Sequence, residues 1–404
     1  MKKQNNSVKI NSFIYSIFKF CSKVISKIKL NLKVVKNELK GNRKGFVVIA
    51  NHESMIDFFA LAANLPKSSF VVSSSFYNTL PIKGLMKLTG VISKQQFQTL
   101  PSDLIKMKEV VNADIPLIIY PAGLMCEDGI ATPIPESTGK FLKWLKKDVY
   151  VAKIKGTYLT KPKWSKKWRK GKTSLEIYKL IDKHSLNDMS NEEVFDLINS
   201  KLYFNAYLNQ KEDKIPFKNG DNIVGLESVL YKCPKCGEEF KIQSKDKNVL
   251  VCSNCGNSCK ADKYGFLNKI NEDDIIYSLP SEWSTYIQEE LFKEISNNDD
   301  YSLKDDAEVF LLDIKERKYK FAGNVTLTLD KENIVLKGVV NDEYIEKEFT
   351  SNKFISLPFI PNQHFEIQEG NVSWRIKLKH PLTTTKWVWS LEMLYKLKSE
   401  CKSK

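Results

Sequence analysis

Residues 46–65 read FVVIANHESMIDFFALAANL. The apolar run Phe46–Ala50, rich in β-branched residues, predicts a buried strand that ends at Asn51 and His52. From Met55 to Leu65 the apolar character continues at a length that suits a helix. A strand therefore delivers polar residues to the start of a helix. The same alternation continues downstream. Short apolar runs at 70–74 (FVVSS), 117–120 (LIIY) and 149–154 (VYVAKI) are separated by helical patterns at about 81–88, 102–112 and 137–146. Strands alternating with helices predict a layered α/β domain.

Within the turn, His52 and Asp57 lie five residues apart. A carboxylate at that offset can reach the imidazole, fix its tautomer through one ring nitrogen, and leave the other nitrogen to take a proton from a hydroxyl. The nucleophile of such a reaction is the substrate. Other schemes find little support: the chain has four His (His52, His184, His364, His380), no GxSxG elbow and no phosphate-loop signature.

The chain has 404 residues, 42% of them hydrophobic and 27% charged, which suits two to four folded domains and excludes a wholly disordered protein. Its excess of Lys and Arg is N-terminal: residues 1–200 hold 33 basic and 16 acidic side chains, and the first 50 hold 12 and one. An anionic membrane or a nucleic acid would be concentrated there. Only four of the cations are Arg (Arg43, Arg169, Arg317, Arg375), and Lys lacks the planar fork that reads base edges, so no specific nucleic acid is expected.

Residues 8–36 place Ile10, Phe13, Ile14, Ile17, Phe18, Cys21, Val24, Ile25 and Ile28 at three- and four-residue steps with Lys between them, the pattern of a basic amphipathic helix. Such a helix lies in a membrane interface or packs on its own domain. The longest charge-free stretch near the N-terminus, Ile10–Phe18, is too short to span a bilayer. A second basic run, KPKWSKKWRKGK at 161–172, reads either as interfacial or as a solvated loop. Beyond it come a charged helical stretch at about 190–210 and a linker with Pro216 and the Asn219–Gly220 pair.

Cys233 and Cys236, then Cys252 and Cys255, form CPKCG and CSNCG turns with 15 residues between the pairs. Four thiolates in this pattern make a closed tetrahedral zinc site that organises the fold, and the segment resembles a zinc ribbon. Thiols used this way imply a reducing, cytoplasmic compartment. From residue 307 onward the runs EVFLLDI, NVTLTL, NIVLKGVV, EYIEKEF, HFEIQ and VSWRIKL read as strands, and 384–399 as a final helix bearing Trp387 and Trp389. The order of elements resembles a pleckstrin-homology or GRAM domain, a small β barrel or sandwich capped by a helix.

NHESMID at 51–57 resembles the first motif of the glycerolipid acyltransferases typified by 1-acylglycerol-3-phosphate acyltransferase, and IIYPAG at 118–123 resembles their Phe-Pro-Glu-Gly block. The resemblance covers residues 30–215. It implies that His52 is the general base and Asp57 its orienting partner, that Pro121 and Gly123 shape the acceptor side, and that an acyl-CoA or acyl carrier protein thioester is the donor. It also implies a lysophospholipid or related lipid as acceptor. Three positions depart from the family pattern: Ala122 replaces Glu, Leu124 and Met125 stand where Arg follows the Gly, and GVISKQQF at 90–97 has no Arg, with Lys94 an off-register candidate for a phosphate contact. Lys94 supplies charge to a phosphate without a bidentate grip.

The expected organisation is a membrane-associating segment at 1–40, an acyltransferase domain at 41–215, a zinc ribbon at 229–270, a linker helix at 271–300 and a β domain at 301–404. The expected function is an O-acyltransferase, peripheral on the inner face of the membrane. The rival expectation is a non-catalytic adaptor on a degenerate acyltransferase fold.

Overall fold

The computed structural model describes residues 9–39, 44–79, 83–96, 100–218 and 223–402. Arg43, the Asn219–Gly220 pair, Phe97 at the end of GVISKQQF, and residues 1–8 and 40 of the N-terminal segment lie outside the described residues. The chain forms two compact units, Met1–Pro162 with Arg169–Lys218, and Lys163–Trp168 with Asn219–Lys404.

The first unit is built on seven strands: β1 (Leu32–Asn37), β2 (Val47–Ala50), β3 (Ser69–Ser73), β4 (Ile92–Lys94), β5 (Leu117–Ile119), β6 (Val149–Lys155) and β7 (Thr173–Ile181). They lie in the order β1, β7, β6, β2, β5, β3, β4. Pairing is parallel from β6 through β4, with β7 antiparallel to β6 and β1 parallel to β7. The expected α/β alternation is observed, with a sheet that is mainly parallel.

β2 is buried at every position, as a strand covered on both faces must be. Its side chains divide by the two-residue period of a strand. Val47 and Ile49 join Met107, Val110, Leu142 and Leu145 from the helices Pro101–Asn112 and Ser137–Leu145. Val48 and Ala50 face the other way, onto Leu61 and Leu65 at the helix Asp57–Asn64. Burying each of those leucines contributes about 1.5–3 kcal/mol. The five parallel strands all end on one side of the sheet, so the loops that follow them share a rim.

The N-terminal helix runs only from Ser12 to Ile28; the amphipathic pattern read through residue 36 is interrupted at Asn31, which has positive φ, and the chain turns there into β1. The helical stretch at 190–210 is likewise two helices, Asn191–Leu202 and Ala206–Asp213, divided where Asn205 caps the second. Strands β1, β4 and β7 carry Lys or Ser at partly exposed positions, which diluted the apolar pattern that marks the central strands.

The second unit holds two antiparallel sheets. The smaller runs β11 (Leu267–Lys269), β10 (Ser258–Ala261), β9 (Val249–Cys252), β8 (Ile242–Lys245). The larger comprises β12 (Leu303–Asp313), β13 (Lys318–Leu329), β14 (Asn333–Val340), β15 (Glu343–Thr350), β16 (Phe359–Ile360), β17 (His364–Glu369) and β18 (Val372–Leu378), ordered β15, β14, β13, β12, β18, β17, β16. The edge strands β15 and β16 are consecutive in sequence. Eight residues, 351–358, link them.

The helices Pro280–Asn297 and Thr384–Lys402, the cysteine segment and the large sheet share one core. Trp387 and Trp389 are both buried in it. Trp283 Nε1 donates to the Lys232 carbonyl at 2.9 Å, and Lys386 Nζ reaches Glu239 Oε2 at 2.8 Å. Of the basic run at 161–172, Trp164 is buried in this core and Trp168 is exposed.

Candidate functional site

His52 sits two residues past β2, on the rim where the parallel strands end. Asn51 locks that end to β6: its Nδ2 donates to the Ile154 carbonyl and its Oδ1 accepts from the Ile154 N–H, each at 2.8 Å. The chain then turns, and Asp57 opens the helix Asp57–Asn64, where a carboxylate is favoured by the helix dipole. Asp57 Oδ2 accepts the Ser54 N–H of the preceding turn at 2.9 Å, and the same oxygen meets His52 Nδ1 at 3.0 Å. One oxygen thus closes the turn and partners the histidine. Asp57 is fully buried, whereas the His52 side chain keeps 18% of its surface exposed, so the imidazole is reachable from outside and its partner is not.

Tyr120, the first residue after β5, lies against His52 with ring centroids 4.2 Å apart and 22° between the planes. Burial, and then the charge of Asp57, push its phenol well above the ordinary value, so Tyr120 stays neutral. Glu53 points the opposite way into the protein, where its Oε2 accepts from Thr157 Oγ1 at 3.0 Å and from the Tyr158 N–H at 3.1 Å. Burial, reinforced by the nearby Asp57, pushes the Glu53 carboxyl up to about 8. Tyr158 in turn donates from its hydroxyl to the Glu127 carbonyl at 3.0 Å, and Cys126 Sγ lies 3.8 Å from the Glu53 carbonyl.

Pro121 and Gly123 stand in the turn after β5, closed by the Gly123 N–H on the Tyr120 carbonyl at 2.9 Å. Gly123 has φ of 67°, a left-handed value that favours glycine, while a Cβ there would meet nothing within 4 Å. Its need is conformational, and the space before it is open. Lys94 closes β4 on the same rim, three strands from β2 and hence about 14 Å across the sheet from His52. Its ammonium lies 3.1 Å from the Gln95 carbonyl, and burial lowers its pKa against the opposing charge of Asp103. Gln96 Nε2 donates to the Gly123 carbonyl at 2.7 Å, tying this segment to the Pro121–Gly123 turn.

The structure therefore brings His52 and Asp57 into contact, places Pro121 and Gly123 on the neighbouring loop, and sets Lys94 farther along the same edge. Sequence reasoning quoted Tyr120 and Glu53 without giving either a task. Tyr120 follows a strand adjacent to the one that carries His52, an adjacency set by the sheet that leaves no local signal in the sequence.

In the second unit, Cys233, Cys236, Cys252 and Cys255 bring their Sγ atoms within 4.8 Å of one another. Cys233 and Cys255 are 3.8 Å apart, as are Cys236 and Cys252. Four thiolates at about 2.3 Å from a tetrahedral Zn²⁺ have edges of about 3.8 Å, so this donor set fits zinc. The two turns repeat one backbone design. Gly237 N–H donates to the Cys233 carbonyl and Gly256 N–H to the Cys252 carbonyl, each at 2.9 Å. Asn254 and Asn257 aim side-chain amides at Cys236 and Cys233 at 3.7 Å, which stabilises negative sulfur.

No curated protein matches the chain in sequence. Among solved structures it is similar to the 1-acyl-sn-glycerophosphate (LPA) acyltransferase PlsC from Thermotoga maritima, at 16% identity and a TM-score of 0.41, over 46% of this chain and 78% of that one. It is also similar to the Ran binding domain of Nup2 from Ashbya gossypii, at 11% identity and a TM-score of 0.20, over 24% of this chain and 97% of that one. At such scores neither likeness bears on function. The family model described as Acyltransferase matches residues 31–154, the stretch that holds His52, Asp57, Lys94, Pro121 and Gly123.

Proposed function

We propose that the first unit moves an acyl group from an acyl-CoA or acyl carrier protein thioester to the hydroxyl of a lysophospholipid or related lipid. The observation that carries this reading is the His52–Asp57 pair, 3.0 Å apart on a strand rim inside the family match. With Nδ1–H donated to Asp57, Nε2 presents a lone pair to the acceptor hydroxyl. The hydroxyl oxygen attacks the thioester carbonyl carbon while Nε2 takes its proton. The tetrahedral intermediate then expels the thiolate, the C–S bond breaks, and the imidazolium returns the proton to sulfur. The acyl group never bonds to the protein. Lys94 faces a phosphate of the acceptor, and Pro121 with Gly123 borders its hydroxyl.

Support for a lipid surface as the working place comes from the helix Ser12–Ile28. Phe13, Ile17, Phe20, Val24 and Ile28 are exposed along one side, flanked by Lys, while Ser22 and Ser26 are buried on the other. An apolar stripe turned outward with basic flanks suits an anionic membrane interface. Among the described residues no helix is long and apolar enough to cross a membrane. In the second unit the four cysteines hold a structural Zn²⁺ in a zinc ribbon, beside a β domain of pleckstrin-homology type.

The test is transfer from labelled acyl-CoA and acyl carrier protein to a lipid extract, with products resolved by mass. His52→Ala and Asp57→Asn should each lower the rate on the order of 10²–10⁴-fold with the fold and zinc content retained. Wild-type rates in His52→Ala would exclude the mechanism, and no product from any donor would favour the non-catalytic adaptor.

A further inference from the structure

The proposed reaction asks two things of the imidazole that its ring contacts govern. It must hold Nε2 on the acceptor hydroxyl, and it must carry positive charge once the proton has moved. Asp57 fixes Nδ1, yet one hydrogen bond at one ring atom leaves the plane free to swing. The Tyr120 ring, nearly parallel to the imidazole at 4.2 Å, removes that freedom. Its electron-rich face also favours an imidazolium over a neutral ring. The contact is built into the sheet: β5 pairs directly with β2, so Tyr120 and His52 leave adjacent strand ends.

Asp57 meets Nδ1, Glu53 follows in the chain with its carboxyl turned to Thr157 and Tyr158, Cys126 lies at the Glu53 carbonyl, and Tyr120 comes from β5. Among the described residues the Tyr120 hydroxyl is buried without a hydrogen-bond partner, and the proposed role uses only the ring. With its phenol held protonated by burial and by Asp57, Tyr120 contributes a neutral π face and no base.

From this geometry we infer that Tyr120 is a positioning residue for His52, holding the imidazole plane so that Nε2 stays on the acceptor hydroxyl. The kinetic part of this inference rests on the general-base reading of His52; the ring-order part does not. The test is NMR of isotopically labelled histidine in the full chain, which has four His, with the His52 ring signals assigned by their loss in His52→Ala. Tyr120→Leu and Tyr120→Met should broaden or abolish the slowly exchanging Nδ1–H signal of His52 and loosen its ring, whereas Tyr120→Phe should leave both near wild type. The two aliphatic variants should lower kcat on the order of tenfold with KM unchanged, and Phe should restore it. Met, being flexible, fills the space if Leu impairs folding. Unchanged His52 ring signals in folded aliphatic variants overturn the inference. If the wild type transfers no acyl group while the ring signals still change, the proposed activity fails and the positioning role stands.

Discussion

Asp57 makes two contacts with one oxygen atom. Its Oδ2 accepts from the Ser54 N–H of the turn before the helix and meets His52 Nδ1. Glu53 is the opposite case: a carboxyl driven into the protein beside another acid. In the unfolded chain it ionises near 4.5, while in the folded protein it keeps its proton to about 8. A raised acid favours the fold fully below the unfolded value and loses that contribution as pH rises toward the folded one. The slope is at most about 1.4 kcal/mol per pH unit. Denaturant unfolding at pH 5.5 and pH 8 should therefore show wild type weakening more than Glu53→Gln, whose amide oxygen can still accept from Thr157 and Tyr158. Parallel behaviour of the two proteins would refute the assignment.

At the scale of elements, the helix Ser12–Ile28 carries apolar side chains on its outer side as well as against its domain. It buries Tyr15, Ser22 and Ser26 against its domain, with Ser26 Oγ donating to the Phe59 carbonyl at 3.1 Å. Phe13 and Phe20 are 73% and 67% exposed. Since these rings contribute nothing to the core, Phe13→Ser with Phe20→Ser should leave thermal unfolding unchanged. Co-sedimentation with anionic vesicles should fall sharply, each ring losing on the order of 1.5–3 kcal/mol of apolar burial in the interface. A double variant that still sediments as wild type would remove this helix from the membrane surface.

For the molecule as a whole, the cysteine cluster lies in the same core as the large antiparallel sheet and the helices Pro280–Asn297 and Thr384–Lys402. A metal bound there would be coupled to the folding of the entire second unit, beyond the cysteine segment alone. The protein should carry one zinc per chain by elemental analysis. Stripping it with a strong chelator, or making Cys252→Ser, should lower the melting transition of that unit by several degrees or more. A metal-free protein that melts like the untreated one would show that the four thiols do not depend on zinc.

Much of this was legible in the order of residues. A run such as Val47–Ala50 is long in β-branched and apolar side chains because both faces of a central parallel strand are covered, and the paired CxxCG turns declare their geometry because ligand spacing is local. His52 and Asp57 were visible for the same reason: five residues of turn bring them together. Strands β1, β4 and β7 were not legible, since edge and partly exposed strands tolerate Lys and Ser, and neither was the outward roll of the first helix, which depends on what its small Ser22 and Ser26 pack against. The stacking of Tyr120 on His52, across 68 positions of sequence, exists only because β5 pairs with β2. The sequence by itself determined the local patterns: a histidine with its carboxylate, two paired CxxCG turns, and an alternating α/β pattern. Only the tertiary structure decided which side chains surround that chemistry, because strand order is set by long-range packing that no local periodicity encodes.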